Sequence, residues 1–342
     1  MTGESEAPDA VRVVVIGVGH LGKSHARILE DLPRAKLVGV VDVREEAARG
    51  VAEEHGVDFA LDPFALPDDW RVEAVSIVTP TSTHGELASH FLRAGIDVLV
   101  EKPMTRTIEE GTRLCELAAL GDRILQVGHV ERFNPVVKAV RELRLEPRYV
   151  EGDRLAPFSF RSTDIGVVHD LMIHDIDLLK TLVDSEVEDV EAFGGAIFTP
   201  AEDLASARLR FSNGTIARLT ANRVALKASR RMRMFSHDSY VSLDFGKQYG
   251  LIIQKAPGWD LRKLDLATVD ADNIQDLWKF VFEGLLEIRE LRMDEGDPLR
   301  EEIEEFLECV STRRRPQVDG NTAVAALATA QMVLDSIGQN RW

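Results

Sequence analysis

Three short stretches of the 342-residue chain combine residue types and spacings that can do chemistry. The first is Gly17-Val18-Gly19-His20-Leu21-Gly22, with Asp42 placed 20 residues after Gly22. When G-x-G-x-x-G follows a strand and opens a helix, its first glycine permits the tight turn. The second lets backbone approach a pyrophosphate, and the third lets helix and strand pack closely. The helix N-terminus then turns its partial positive charge toward the phosphates. A carboxylate at the end of the second strand accepts hydrogen bonds from the adenosine ribose and repels a 2′-phosphate, which favours NAD over NADP. Arg44 is the feature that could accommodate that phosphate instead. The pattern alone also fits a glycine turn with no nucleotide, or another nucleotide such as FAD.

The second stretch is Glu101-Lys102-Pro103, at the carboxyl end of an apolar strand. Ligands of open α/β sheets bind outside that edge, although a surface ion pair before a turn is the plainer alternative. The third runs from His169 to Asp177. On a helix Asp170 and His174 are i and i+4 and share one face, with Asp177 on nearly the same side. Polar groups among Leu171, Ile173, Leu178 and Leu179 are costly unless used or paired. A solvated acidic face with a satisfied histidine is the alternative. His169 and His174 are i and i+5 and no HExxH is present, so no metal is expected.

The elements that must position these groups are legible from periodicity. Apolar strands at Val11–Ile16, Lys36–Val41, Ala74–Val78, Asp97–Val100 and Ile124–Val127 alternate with helical patterns. One helix between successive strands means parallel βαβ units in a doubly wound sheet. Then the pattern changes. Ile165–Val183 contains a long helix, and Val187–Lys255 reads as consecutive strands, with Asn213-Gly214 as a hairpin signal. Strands in series imply an antiparallel sheet. Two helices follow, Leu299–Val310 and Asn321 to about Ser336. The expectation is an α/β domain over residues 1–129, then an α+β domain with a large, open, mostly antiparallel sheet over 130–342. The last helix is free to pack back on the first domain.

Composition bounds the partners. With 41 Lys plus Arg against 58 Asp plus Glu, the net charge is −17. Such a chain repels nucleic acid and anionic membranes unless a local basic patch reverses the field. Arg154, Arg161 and the Arg230–Arg233 strand, including Arg231, are candidate contacts for an anionic ligand. Cys115 and Cys309 sit in helix-like apolar patterns and read as reduced core thiols. The acidic first ten residues lack the basic start of a signal peptide, and no apolar run reaches the ~18 residues of a membrane span. A cytoplasmic protein is expected.

Together these features resemble the Gfo/Idh/MocA family of sugar and polyol oxidoreductases. The resemblance rests on the glycine turn, Thr79-Pro80-Thr81 with His84, Glu101-Lys102-Pro103, the Asp170-xxx-His174 helix, and Pro316-Gln317-Val318-Asp319-Gly320 before the final helix. It implies a Rossmann domain and a second domain whose sheet forms a homodimer or homotetramer. It also implies NAD held by Gly17, Gly19, His20, Leu21, Gly22, Asp42, Thr79, Pro80, Thr81, His84, Glu101 and Lys102. Lys102, Asp170 and His174 become the catalytic group, and Lys102–Pro103 a cis bond. In Gly128–Pro135, Arg154–Phe158 and Asp170–Leu178 the chain further resembles a subgroup acting on UDP-N-acetylglucosamine, with Arg132 added to the substrate contacts. Members of that subgroup oxidise the C3 hydroxyl to a ketone, which a transaminase converts to an amino sugar of some lipid A. One departure is that Gly166 stands alone where many members carry a glycine pair. A dehydrogenase of a free sugar or inositol-type polyol, and a non-catalytic sugar or nucleotide sensor, stay open.

Overall fold

The computed structural model describes residues 10–159, 165–256, 286–293 and 296–340. The chain divides into two units, 1–133 with 297–331 and 134–296 with 332–342. A single cut near residue 129 therefore captures only the outgoing crossing, because the chain returns to the first unit at Asp297.

In the first unit, β1 (Val11–Ile16), β2 (Ala35–Val41), β3 (Asp58–Ala60), β4 (Ala74–Ile77), β5 (Asp97–Glu101) and β6 (Leu125–Gly128) form one sheet in the order β3-β2-β1-β4-β5-β6. All its ladders are parallel. Helices α1 (His20–Asp31), α2 (Glu45–His55), α3 (Thr81–Arg93) and α4 (Ile108–Gly121) connect the strands. The order reverses beside β1, at the gap between the carboxyl ends of β1 and β4 where doubly wound sheets bind ligands. The period-two alternation of β1 builds a core on each face. Val14 and Ile16 join Phe91 and Leu114, whereas Val13 and Val15 join Leu29 and Phe306. Burying each such side chain contributes ~1.5–3 kcal/mol. Phe306 comes from α7 (Pro298–Thr312), which explains why the chain returns: its apolar stripe of Ile303, Phe306 and Leu307 completes the second core.

In the second unit, α5 (Pro135–Glu142) precedes β7 (Tyr149–Leu155). A π-helical turn at Val168–Met172 leads into α6 (Ile173–Leu182). Seven strands follow: β8 (Val187–Gly195), β9 (Leu204–Phe211), β10 (Ile216–Asn222), β11 (Ser229–Phe235), β12 (Ser239–Asp244), β13 (Tyr249–Lys255) and β14 (Leu286–Arg292). The eight-stranded order is β14-β13-β12-β11-β7-β10-β9-β8, antiparallel except for the parallel pair of β7 with β10. Asn213-Gly214 turns β9 into β10 with Gly214 at φ 84, as the hairpin signal predicts. The last helix, α8 (Gly320–Gln339), belongs to the first unit up to residue 331 and to the second from residue 332.

Two elements differ from expectation. β3 has three residues, too few to show a period, and adds an edge strand. The long helix expected within 165–183 instead begins with the π turn. Asp170 therefore lies in a turn wound wider than an α-helix, and only His174 stands in regular α geometry.

Candidate functional site

The first unit carries two of the three sequence-predicted clusters and the second unit carries the third. In the first, Gly17 has φ 90, and a Cβ there would stand 2.6 Å from the Val78 carbonyl oxygen. A Cβ on Gly22 would overlap the Gly17 carbonyl, so turn and helix meet only without side chains. Gly19 differs: nothing lies within 4 Å of its Cβ position. The protein's own packing does not require that glycine, whereas a ligand brought against the backbone does. Gly19 is the N-cap of α1 and donates no side-chain cap, and the first turn of α1, with exposed His20 and Leu21, carries no acidic residue. Its amide donors are thus available for an anion.

Beside this turn lies a cavity of about 740 Å³, lined by Gly17, Gly19, Asp42, Val43, Arg44, Phe64, Thr79 and Pro80 among others. The open Cβ direction, uncapped helix end and buried carboxylate fit an adenine dinucleotide. Asp42 is 8% exposed and accepts from the Val18 amide at 3.1 Å and the Arg44 amide at 2.9 Å. Burial raises its pKa, but the hydrogen bonds from Arg44 and Val18 outweigh burial and hold it below the usual carboxylate range. Asp42 is therefore ionised at neutral pH.

The turn after β4 is bound to itself. Thr79 Oγ1 and Thr83 Oγ1 are 2.7 Å apart, and Thr83 donates to the Pro80 carbonyl at 2.9 Å. Pro80 caps α3, which begins at the buried Thr81. His84, also buried, places Nε2 2.8 Å from the Thr79 carbonyl and Nδ1 2.9 Å from the Pro103 carbonyl. Burial pushes this ring below its ordinary pKa despite both carbonyls and Glu101, so it is neutral at pH 7.

Glu101 ends β5, and the Lys102–Pro103 bond is cis, as the resemblance implied. The Glu101 carboxylate packs over Gly128, where a Cβ would lie 2.9 Å from its Cδ. It accepts from the Lys102 amide at 3.2 Å, and His25 Nε2 lies 3.3 Å away. His25 Nδ1 is in turn 2.8 Å from Ser76 Oγ. Burial raises the Glu101 pKa, while His25 and Lys102 bring it below the ordinary value. Sequence reasoning missed His25. Its signal was a histidine on the apolar face of α1, beside Ala26 and Ile28, all fully buried. Arg132, 6% exposed, lies in the 3-10 turn Val130–Phe133, where its amide donates to the His129 carbonyl.

In the second unit, Asp170 and His174 are each half-buried on either side of the junction between the π turn and α6. π turns occur often at functional sites. Glu202, which sequence reasoning also missed, holds this one. Its Oε1 accepts from the Val168 amide at 3.1 Å, and its carboxylate covers Gly166, where any Cβ would overlap it. A side chain at Gly166 would have to push this carboxylate aside. His169, one residue before Asp170, is pushed below its ordinary pKa by burial alone.

Arg154 reaches α6 by a bidentate pair, Nε to Asp175 Oδ2 at 3.1 Å and Nη2 to Oδ1 at 2.8 Å, with both residues buried. Its guanidinium stands 5.7 Å from the centre of the Phe245 ring. Arg231 is exposed and paired with Asp244 at 3.2 Å. Arg161 lies outside the described residues. Cys115 is half-buried and Cys309 buried, and burial pushes their thiols up to about 11 and about 12. No helix among the described residues is long and apolar enough to cross a membrane.

Comparison with known proteins agrees with this geometry. Residues 11–129 match the oxidoreductase family with an NAD-binding Rossmann fold, and residues 140–238 match the GFO/IDH/MocA C-terminal domain. The chain is 38% identical to UDP-N-acetylglucosamine 3-dehydrogenase of Acidithiobacillus ferrooxidans over 94% of its own length and 96% of that protein's. A solved structure of that enzyme superposes with a TM-score of 0.83, covering 96% of this chain and 97% of the other at 35% identity. The chain is also 33% identical to scyllo-inositol 2-dehydrogenase (NAD(+)) of Bacillus subtilis, over 63% of this chain and 68% of that one. Levoglucosan dehydrogenase in complex with NADH and levoglucosan shares the fold, with a TM-score of 0.81, 17% identity and coverage of 98% and 99%.

Proposed function

Because this chain belongs to the Gfo/Idh/MocA family of oxidoreductases, we propose that it is an NAD-dependent dehydrogenase of a sugar hydroxyl, with the C3 hydroxyl of UDP-N-acetylglucosamine as its substrate. The observation that carries the substrate is the 38% identity to a UDP-N-acetylglucosamine 3-dehydrogenase, sustained over 94% of the chain.

Three groups then take roles at the reacting carbon and oxygen. His174 accepts the hydroxyl proton. Lys102 donates a hydrogen bond to the same oxygen and stabilises its developing negative charge. Asp170, at the π turn, orients the site. When bound, nicotinamide supplies the hydride acceptor. The uncapped end of α1 holds the pyrophosphate, and Asp42 holds the adenosine ribose. The negative charge of Asp42 disfavours a 2′-phosphate, so NAD is preferred to NADP. Thr79, Pro80, Thr81 and Glu101 complete the cofactor side, with buried His84 behind Thr79.

The diphosphate of the substrate needs cations against a net charge of −17. Arg132, Arg154, Arg161 and Arg231 remain the candidates, and Arg231 is exposed in this structure. Assembly into a homodimer or homotetramer through the second sheet is part of the same proposal. It is supported by an aromatic row across three strands, in which Phe235 lies 5.8 Å from Tyr149 and 5.0 Å from Tyr240. A cytoplasmic location is part of the same reading, supported by the two cysteines both being free.

The test is NADH formation from NAD with UDP-N-acetylglucosamine, alongside free glucose and inositols. Turnover of the nucleotide sugar supports the proposal. Turnover of a free polyol alone favours the second reading, a polyol dehydrogenase, for which the partial match to the inositol enzyme speaks.

A further inference from the structure

Lys102 is flanked by two residues that buried histidines touch. On one side His25, from α1, stands 3.3 Å from the Glu101 carboxylate. On the other His84, from α3, stands 2.9 Å from the Pro103 carbonyl. The two helices are those whose N-terminal turns border the cofactor cavity. His84 goes further, because its second nitrogen is 2.8 Å from the carbonyl of Thr79, a residue of the cavity wall.

We propose that His84 is a positioning residue that ties the cofactor-lining turn at Thr79 to the turn that carries Lys102. Both of its partners are carbonyl oxygens, which only accept. A neutral imidazole has one N–H, so each tautomer holds one carbonyl: Nδ1–H holds Pro103, and Nε2–H holds Thr79. The ring therefore links how firmly the cofactor turn is held to how firmly the Lys102 turn is held. β5 ends at Glu101, and His84 is the side chain whose tautomer trades the hold on one turn against the hold on the other. The charged groups that act on the ring are Glu101 and Lys102, on the turn it holds. The catalytic use of Lys102 is taken from the proposed function.

Two substitutions separate the bonds. The Nδ2 of asparagine occupies the place of histidine Nδ1, so His84→Asn keeps the donor to Pro103 and loses the one to Thr79. The Nε2 of glutamine occupies the place of histidine Nε2, so His84→Gln keeps Thr79 and loses Pro103. The expected result is a crossover. His84→Gln binds NADH as the wild type does, but kcat falls about tenfold, a fall that one lost buried hydrogen bond can produce. It also changes the rate at which an amine-directed reagent labels Lys102, read by mass spectrometry. His84→Asn keeps kcat and the labelling rate, while its NADH Kd rises about tenfold. Parallel losses in the two variants, with matching drops in Tm, would make His84 a packing residue and overturn the proposal, as would wild-type values in both. NADH binding and Lys102 labelling need no sugar. The crossover can therefore be read even if the wild type fails to oxidise UDP-N-acetylglucosamine, a failure that overturns the substrate reading alone.

Discussion

Arg44 lies back across Asp42, with Nε 3.1 Å from Oδ1 and Nη2 3.2 Å from Oδ2. The same carboxylate that accepts from the Val18 amide in the glycine turn thus neutralises the nearest exposed cation. The arginine that could receive a 2′-phosphate is already engaged. Asp42→Ala should weaken NADH binding about tenfold or more, since hydrogen bonds to a charged group are among the stronger ones. It should also free Arg44 and improve NADPH binding relative to NADH. Fluorescence titration of both cofactors checks this, and an unchanged preference would remove Asp42 from cofactor selection.

Lys102→Met and His174→Ala should each lower kcat by about 10²-fold, with NADH affinity within a factor of about two. Both side chains act on the reacting oxygen in this scheme, and neither holds the adenosine half. Stopped-flow hydride transfer together with NADH titration measures both quantities. Wild-type turnover in the two variants sinks the assignment.

Gly166 and Glu202 are coupled by contact, because any Cβ on Gly166 overlaps the Glu202 carboxylate. Gly166→Ala should destabilise the second unit by ~0.5–1.5 kcal/mol, the cost of the Glu202–Val168 hydrogen bond broken when the carboxylate is displaced. Glu202→Ala loses the hydrogen bond to the Val168 amide but removes the obstruction. The double variant should therefore be more stable than the sum of the single effects predicts. A double-mutant cycle from urea unfolding reads this coupling, and strict additivity would contradict the geometry.

Arg154→Met leaves Asp175 buried without its bidentate partner. Breaking such a pair costs ~3–5 kcal/mol, so Tm should fall along with any change in KM. If Arg154 served the substrate alone, KM would rise at constant Tm. Thermal unfolding and steady-state kinetics on one preparation distinguish the two.

Acid should destabilise the protein in two stages. His84 and His169 have folded pKa values below their unfolded value of about 6.5. The folded state then binds fewer protons than the unfolded one, and stability is lost as pH falls from about 6.5 toward the folded values. Asp42, Glu101, Asp203 and Asp319 are also held below their ordinary values. Their contribution is present above about pH 4 and is lost as pH falls through their folded values. His169→Gln should shrink the first stage to the part His84 supplies and leave the second unchanged. Urea midpoints measured across pH test this, and an unaltered first stage would exclude His169 from it.

The alternation of strands and helices to residue 129, the glycine turn, and Asp42 at the end of β2 were all legible in the sequence. Each depends on short-range physics: period-two and period-3.6 burial, the positive φ that a glycine at position 17 adopts without strain, and a strand length that fixes where Asp42 falls. The sequence also carried enough local motif to place Lys102, Asp170 and His174 among the candidates. Tertiary structure alone decided what surrounds them. His25 stands beside Glu101, Glu202 covers Gly166, Arg154 grips Asp175, and β7 pairs parallel with β10. Each joins residues far apart in the chain, and no local period signals such a pairing. The π turn belongs with them. Spacing alone reads Asp170 and His174 as one α-helical face, but the turn winds wider where Glu202 and the Ile165 carbonyl's bond to Arg223 hold its entry. Those contacts exist only once strands distant in sequence have packed.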